Sequence, residues 1–410
     1  MNLRARLRAG DRDAQFCFAE ACEHGWGMPR SATAARRWYR AAARQGDAEA
    51  AFRLGLLLFC AGRRRADAAA AIWLRQAADA NHGDAQAALG TCYRSGRGVA
   101  VDYRESLHWT ALAAGNGSAS GRYNLALCYR AGCGVGRDMT RAVDLLTLAA
   151  TQGYARAQLM LGHVYANGDG VAEDRGAARS WYASGARQGY VKARYNLALL
   201  LLADGDPQSD RRALDELHAA AAAGYAKAMY LLATNYRRGI GVGVDHERAR
   251  TYLHKAAAAG LAKAQYRLAR QADRESIEGE RDYWHWIRRA AAGGHVQAQY
   301  LLGKVIVSVP AAERDVAWHW LTRAAEGGEK RAAYLLAACF ERGLGVAPDR
   351  ANAYRWMLVA RAAGSTRAIR ESQRLQRMLS PQTVAAINLE VLAAGTVQAE
   401  KRARRRLRIE

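Results

Sequence analysis

The chain has 410 residues, half of them hydrophobic, and its 61 basic against 38 acidic residues give a formal net charge of +23. No stretch carries ~18 uninterrupted apolar residues, so no transmembrane helix is expected. The charged start MNLRARLRAGDRDAQF lacks the apolar run of a secretory signal.

The first predicted element follows Gly10, which opens a register of helix-breaking residues. The register continues through Gly46, Asn81, Gly117, Gly153, Gly189, Gly224, Gly260, Gly294, Gly328 and Gly364, at intervals of 34 to 36 residues. A period of that length marks one supersecondary unit stacked on itself. The segment after Gly153 shows the unit. Ala157, Leu161 and Tyr165 fall on one face of a predicted helix A, and the small Gly162 suits close approach of a neighbour. The small position recurs as Ala198, Ala233, Ala269 and Gly303. A Gly-x-Gly-Val turn then stops the helix, since glycine reaches positive φ without steric cost. A helix B follows and ends near Ala-Ala before the next register position.

Along the chain the turn appears at Gly96/Gly98/Val99, Gly132/Gly134/Val135, Gly168/Gly170/Val171, Gly239/Gly241/Val242 and Gly343/Gly345/Val346. It is missing between Gly62 and Asp67, Asp204 and Asp210, Gln271 and Asp282, and Val305 and Asp315. Helix B has its large core residue assigned to Trp38, Trp73, Trp109, Leu145, Trp181, Leu217, Tyr252, Trp286, Trp320 and Trp356. Pro29, Pro207, Pro310 and Pro348 are placed in loops, and Pro381 behind Ser380 opens a helix. The β-looking run Lys304–Val309 is predicted to close helix A of the ninth repeat, because its register spacing is intact. Beyond Gly364 the pattern lapses; Glu371–Leu379 and Gln382–Ala393 read as two capping helices. The tail Lys401–Glu410, KRARRRLRIE, is expected to be mobile and dispensable for folding.

The LG/LA pair, the following Tyr, the GxGV turn and the Trp-to-Ala-Ala stretch resemble the Sel1-like repeat family, relatives of tetratricopeptide repeats with a longer intra-repeat turn. The resemblance covers residues 10 to about 364. It implies an all-α, right-handed α-solenoid of about ten helix pairs with a C-terminal helical cap. The expected division is residues 1–364 as solenoid, 365–397 as capping helices and 398–410 as basic tail. Family members act as adaptors in bacterial regulation, envelope assembly and virulence, and some are immunity proteins against toxins.

No catalytic motif accompanies the repeats: HExxH, GxSxG, Walker A and CxxC are all missing from the sequence. The Gly-x-Gly pairs follow helices rather than strands, which excludes a dinucleotide fingerprint. A non-enzymatic protein without cofactor or metal is expected. The seven cysteines are odd in number and irregularly spaced, pointing to a reducing, cytoplasmic compartment. Cys92, Cys128 and Cys339 share a column and read as small buried residues.

By analogy with tetratricopeptide arrays, helix A lines the concave side. Three residues after each register position the column turns from acidic (Asp13, Glu49, Asp84) to basic (Arg156, Lys192, Lys227, Lys263); six residues after, it is rich in Tyr, including Tyr195, Tyr230 and Tyr266. These residues form the candidate concave strip for a partner protein or extended peptide, expected to be acidic. Trp284, His285, Trp318 and His319, one repeat apart on helix B, form a secondary candidate patch whose bland reading is helix packing. One alternative function is an accessory binder of nucleic acid or an anionic membrane surface through the Arg-rich face and tail, although no zinc finger, helix-turn-helix or aromatic-interleaved RNA motif accompanies the charge; the other, implied by the family resemblance, is an immunity or regulatory protein for a bacterial toxin.

Overall fold

The computed structural model describes residues 3–60, 64–307, 314–344 and 346–393, and among them there is no strand. The chain forms two units, Met1–Leu200 and Leu201–Glu410, each built of stacked helix pairs. In the first unit α1 (Leu3–Arg8) precedes α2 (Arg12–His24) and α3 (Ala32–Arg44). Then come α4 (Ala48–Cys60) with α5 (Arg64–Asp79), and α6 (Gly83–Ser95) with α7 (Tyr103–Gly115). They are followed by α8 (Ala119–Ala131) with α9 (Met139–Thr151), and α10 (Ala155–Asn167) with α11 (Arg175–Arg187). The division falls within α12 (Val191–Leu202). The second unit continues with α13 (Pro207–Ala222), α14 (Ala226–Arg238) with α15 (His246–Ala258), and α16 (Ala262–Gln271) with α17 (Ile277–Ala292). It ends with α18 (Val296–Val307) and α19 (Arg314–Glu326), α20 (Lys330–Arg342) and α21 (Arg350–Ala362), α22 (Thr366–Gln376) and a helical run over 381–393.

Every register position adopts left-handed backbone, from φ +61° at Asn81 to +94° at Gly328. Asn81 is the one non-glycine residue with positive φ among the described residues, as befits the side chain that tolerates this region best. The run expected to close helix A of the ninth repeat does so through Val307; Ser308 and Val309 lie outside the described residues, as do Pro310 and the tail.

The core column of helix B requires a correction. Most of the assigned residues lie eight before the next register position and are half-buried. The fully buried column lies one residue on: Tyr39, Leu74, Thr110, Leu146, Tyr182, Leu217, Leu253, Ile287, Leu321 and Met357. Leu217 alone was already in that column, and of the tryptophans in the other only Trp109 is buried. One step along a helix turns ~100°, which moves the tryptophans to the flank. The buried residue enters the hollow above the small residue of helix A. A Cβ on Gly162 would lie 2.3 Å from the Tyr182 ring, and one on Gly55, Gly90 or Gly303 would lie 2.6–2.8 Å from Leu74, Thr110 or Leu321.

Tyr182 also carries its hydroxyl 3.0 Å from His163 Nδ1, while His163 Nε2 is buried without a partner. Burial, aided by the Arg130 charge, pushes the His163 imidazole down to about 4. The unfolded chain therefore binds the proton first as pH falls from ~6.5 to ~4, and stability drops by up to about 3 kcal/mol across that window. Denaturant titrations at pH 7 and pH 4 should show this loss, reduced in His163→Gln.

A second buried column stitches each pair to the one before it. Gln86, Gln158, Gln265 and Gln299 each donate from Nε2 to a carbonyl of the terminal alanines of the preceding helix B, at 2.9–3.1 Å. In the first unit their Oε1 atoms accept from the residue just before the next register position: Asn116 for Gln86 at 2.9 Å, Gln188 for Gln158 at 2.8 Å. In the second unit that place behind Gln265 is Gly293, and Gln265 Oε1 is left unpartnered.

The Gly-x-Gly-Val turn serves the neighbouring repeat as well as its own helix. Its second glycine lies against the first turn of the preceding helix B. A Cβ on Gly98 would meet the Asp67 carbonyl oxygen at 2.2 Å, on Gly134 that of Tyr103 at 2.3 Å, and on Gly170 Met139 Cβ at 2.7 Å. In the second unit Gly241 approaches the Asp210 carbonyl in the same way, at 2.8 Å. Arg97 adds to the contact, donating to the Phe59 carbonyl at 2.7 Å and to Asp67 at 3.1 Å.

At three of the four places where the turn is missing, helix B begins about one turn earlier: α5, α13 and α17 have 16 residues against 13 in α3, α7 and α9, whereas the described α19 has 13. Pro207, expected in a loop, therefore opens α13, behind Asp206, whose Oδ1 accepts the Gln208 and Ser209 amides at 3.0 and 2.9 Å. The cap also differs from expectation. Its first helix is Thr366–Gln376 rather than 371–379, with Ala368 and Leu375 fully buried, and the second covers 381–393. Ala368 holds the same place after Gly364 that Ala157 holds after Gly153, so the cap is an eleventh pair. Ile387 joins Tyr354 and Met357 in one core cluster.

Candidate partner-binding strip

The strip begins at the first residue after each register position, which is the N-cap of helix A. In the early repeats polar side chains cap there: Asp11 accepts the Ala14 amide at 2.8 Å, Asp47 that of Ala50 at 2.9 Å and Ser118 that of Gly121 at 3.1 Å. At Tyr154 and Tyr225 the N-cap side chain makes no capping bond. This column was not singled out in the sequence, although it lies in the same register.

In the first unit the acidic residues are already partnered. Glu49 accepts from Arg53 and contacts His82 Nε2, both at 2.7 Å, and Phe52 stacks on His82 at 4.7 Å. Asp84 accepts from Ser118 and Ser120 at 2.7 and 2.8 Å. Arg156 is exposed and Lys192 half-exposed, and neither enters an ion pair among the described residues. Tyr123 and Tyr154 pack ring to ring at 5.4 Å. Tyr195 is half-buried, and burial raises its phenol above the ordinary range.

The second unit brings cation and tyrosine together. Lys263 Nζ sits 5.2 Å from the Tyr230 ring centroid; Arg267 lies 5.8 Å from that ring and donates to its hydroxyl at 3.3 Å. Arg331 covers Tyr300 at 4.6 Å in the same relation, fixed by Glu329 at 2.8 Å. The basic residue of one repeat thus lies on the tyrosine of the repeat before it, a cation–π geometry. Tyr266 instead stacks on His295 at 4.1 Å, and burial, aided by Lys263, lowers the His295 imidazole. Lys227 is exposed, with no ion pair among the described residues. Arg267 and His295 were not anticipated as members.

The secondary patch resolves into packing and surface. Trp284 stands edge-on to the buried Tyr283 at 4.9 Å, and Trp318 to Phe340 at 4.6 Å. His285 and His319 are exposed beside Trp286 and Trp320, each at 5.1 Å. Among the described residues no ring contact joins one pair to the other. All seven cysteines are free, with Cys92, Cys128 and Cys339 buried. No helix among the described residues is long and apolar enough to cross a membrane.

Comparison with solved structures returns a protective antigen of uropathogenic Escherichia coli, with 27% identity over 100% of this chain and 97% of that one and a TM-score of 0.43. A Sel1 repeat protein of Oxalobacter formigenes shares 30% identity over 83% of this chain and 89% of its own, with a TM-score of 0.42. An immunity protein of Pseudomonas aeruginosa shares 18% identity over 53% of this chain and 81% of its own, with a TM-score of 0.36. The comparison with curated proteins gave no match. The Sel1 repeat model matches residues 13–47, 48–82, 83–118, 119–154, 155–190, 191–225, 226–261, 296–329 and 330–365, leaving out 262–295. The matched segments span most of the chain and each contains a helix pair or its equivalent, so the chain belongs to the Sel1 repeat family.

Proposed function

We propose that this protein is a non-enzymatic scaffold that engages an acidic partner protein, or an extended acidic peptide, along the helix A strip. Sel1 repeats mediate protein interactions, which sets the class. The observation that carries the finer reading is the Lys263 ammonium resting on the Tyr230 ring at 5.2 Å. A cation held on an aromatic face is ordered before binding, so less side-chain entropy is lost when a carboxylate arrives. Within the second unit the binding residues are Lys227, Tyr230, Lys263 and Tyr266; within the first they are Arg156, Lys192 and Tyr195.

Two reversals test this, Arg156→Glu with Lys192→Glu and Lys227→Glu with Lys263→Glu, against a partner captured from the native host. Each is expected to slow association more than it speeds dissociation and to flatten the salt dependence that screening imposes. Unchanged affinity and unchanged salt dependence in both would remove the strip. A salt-sensitive gel shift with nucleic acid, abolished by the same reversals, would move the function to nucleic-acid binding.

A further inference from the structure

Between α14, α15, α16 and α17 lies a cavity of about 580 Å³, and its origin is the turn missing from the eighth repeat. His246 is the first residue of α15, behind the Asp245 cap, as Tyr103 and Met139 are the first residues of α7 and α9 behind Asp102 and Asp138. Onto Tyr103 and Met139 the next repeat presses Gly134 and Gly170. The repeat after α15 has no such glycine, and its helix A stops after 10 residues where the other helices A of the repeats have 12 or 13. The place over His246 is left open. Within the span 13–365 that the family model covers, this segment, 262–295, is the one left unmatched.

The lining is unlike that of the packed interfaces. Arg237, Arg250 and Arg267 supply guanidinium groups, while Glu247 and Asp282 supply carboxylates. Opposite charges within four ångströms of each other would pair, yet Arg237, Arg250, Glu247 and Asp282 enter no ion pair among the described residues. Both kinds of group keep their hydrogen-bonding capacity across the cavity. Trp286 closes one side, half-buried, with His254 edge-on at 6.3 Å.

We propose that this cavity binds a hydroxylated organic phosphate, of the sugar phosphate or nucleotide class. Guanidinium forks match phosphate oxygens two at a time. The free carboxylates accept hydrogen bonds from ligand hydroxyls, which a sugar supplies in number beyond the one or two of inorganic phosphate. They repel a bare anion as well, so the site favours a molecule carrying both groups. The indole flank covers the apolar side of such a ligand. The volume falls within the ~300–1,000 Å³ of small-molecule pockets, far less than a protein footprint occupies. Arg267 borders both the cavity and the partner strip, while Arg237, Arg250, Glu247, Asp282 and Trp286 are not strip residues, and the proposal does not depend on the strip.

The test is calorimetry on the full chain at low ionic strength with ribose 5-phosphate, adenosine monophosphate, inorganic phosphate and ribose. Ribose 5-phosphate and the nucleotide are expected to bind at least about tenfold more tightly than inorganic phosphate, a ~1.4 kcal/mol difference, and ribose to give no heat. Arg237→Glu with Arg250→Glu should weaken binding by about tenfold or more. Gln271→Trp should weaken it too, by filling the cavity without changing its charge. Reversal of the exposed Arg211 and Arg212 on α13 should leave it unchanged, and circular dichroism confirms that each variant is folded. Equal affinity for inorganic phosphate, equal weakening by the Arg211/Arg212 reversal, or no binding of any probe would overturn the proposal. Loss of a captured protein partner on reversing Arg237 and Arg250, without small-molecule binding, would overturn it in favour of a protein surface.

Discussion

Tyr182→Ala should destabilise the fifth repeat by about 3–5 kcal/mol, the range for truncating a buried aromatic ring, and Trp181→Ala by about half as much, in proportion to the area it buries. The order is the informative part, because tryptophan is the larger ring and sequence alone puts it in the core. Tyr182 is 3% exposed, fills the hollow over Gly162 and holds His163 Nδ1 at 3.0 Å. Its removal leaves a cavity that the surrounding helices cannot close, together with a buried imidazole that has lost its hydrogen-bond partner. Trp181 is half-buried on the flank and leaves a dent that water fills. Because each repeat touches only its neighbours, lost protection should spread to adjacent repeats before distant ones. Hydrogen exchange on both variants reads this out. A larger loss for Trp181→Ala would mean that the buried column is misassigned, and uniform loss along the chain would mean one undivided core.

The second large effect is expected at Gly98. Alanine there meets two obstacles: a backbone at φ +76°, and the Asp67 carbonyl oxygen 2.2 Å from the added carbon. Left-handed backbone costs an L-residue roughly 1–2 kcal/mol. The second obstacle is backbone rather than a flexible side chain, so the turn must leave α5; overpacking of this kind costs about 1–3 kcal/mol more. Gly27 holds the corresponding place in the first repeat, at φ +69° with nothing within 4 Å, because no earlier pair lies beneath it. Gly27→Ala therefore isolates the conformational cost. Thermal denaturation should lower the melting temperature in both variants and clearly further in Gly98→Ala. Equal shifts would show that the turn does not bear on the neighbouring helix.

Much of this was readable because the register is a backbone property. Positive φ leaves a compositional mark, glycine or asparagine, that recurs at each of the eleven positions regardless of what packs around it. The small residues of helix A were legible for the same reason: they are small because a neighbour excludes larger side chains. The facing helix was harder. Trp181 and Tyr182 are adjacent and both large, and only the rotational setting of α11 against α10 decides which one enters. Nothing in the composition of that dipeptide encodes the setting. The strip shows the same limit. Lys263 and Tyr230 were singled out as columns, but their contact joins residues 33 positions apart, and Arg267 and His295 enter through stacking between successive repeats. The cavity beside α15 comes from a turn that is missing, and a lost motif states what is gone without naming what lines the space.

The second glycine of each turn also bears on how the molecule gives way under load. In the first unit Gly98, Gly134 and Gly170 fasten the second to fifth repeats one to the next through α5, α7 and α9. No such fastener lies on α15, because the eighth repeat lacks the turn. A polypeptide stretched in an optical trap should therefore rupture in unequal steps. The fastened repeats should yield together at higher force, while repeats without the turn, the eighth among them, peel away early. Transplanting a Gly-x-Gly-Val turn into that repeat should merge its small early step with those of its neighbours.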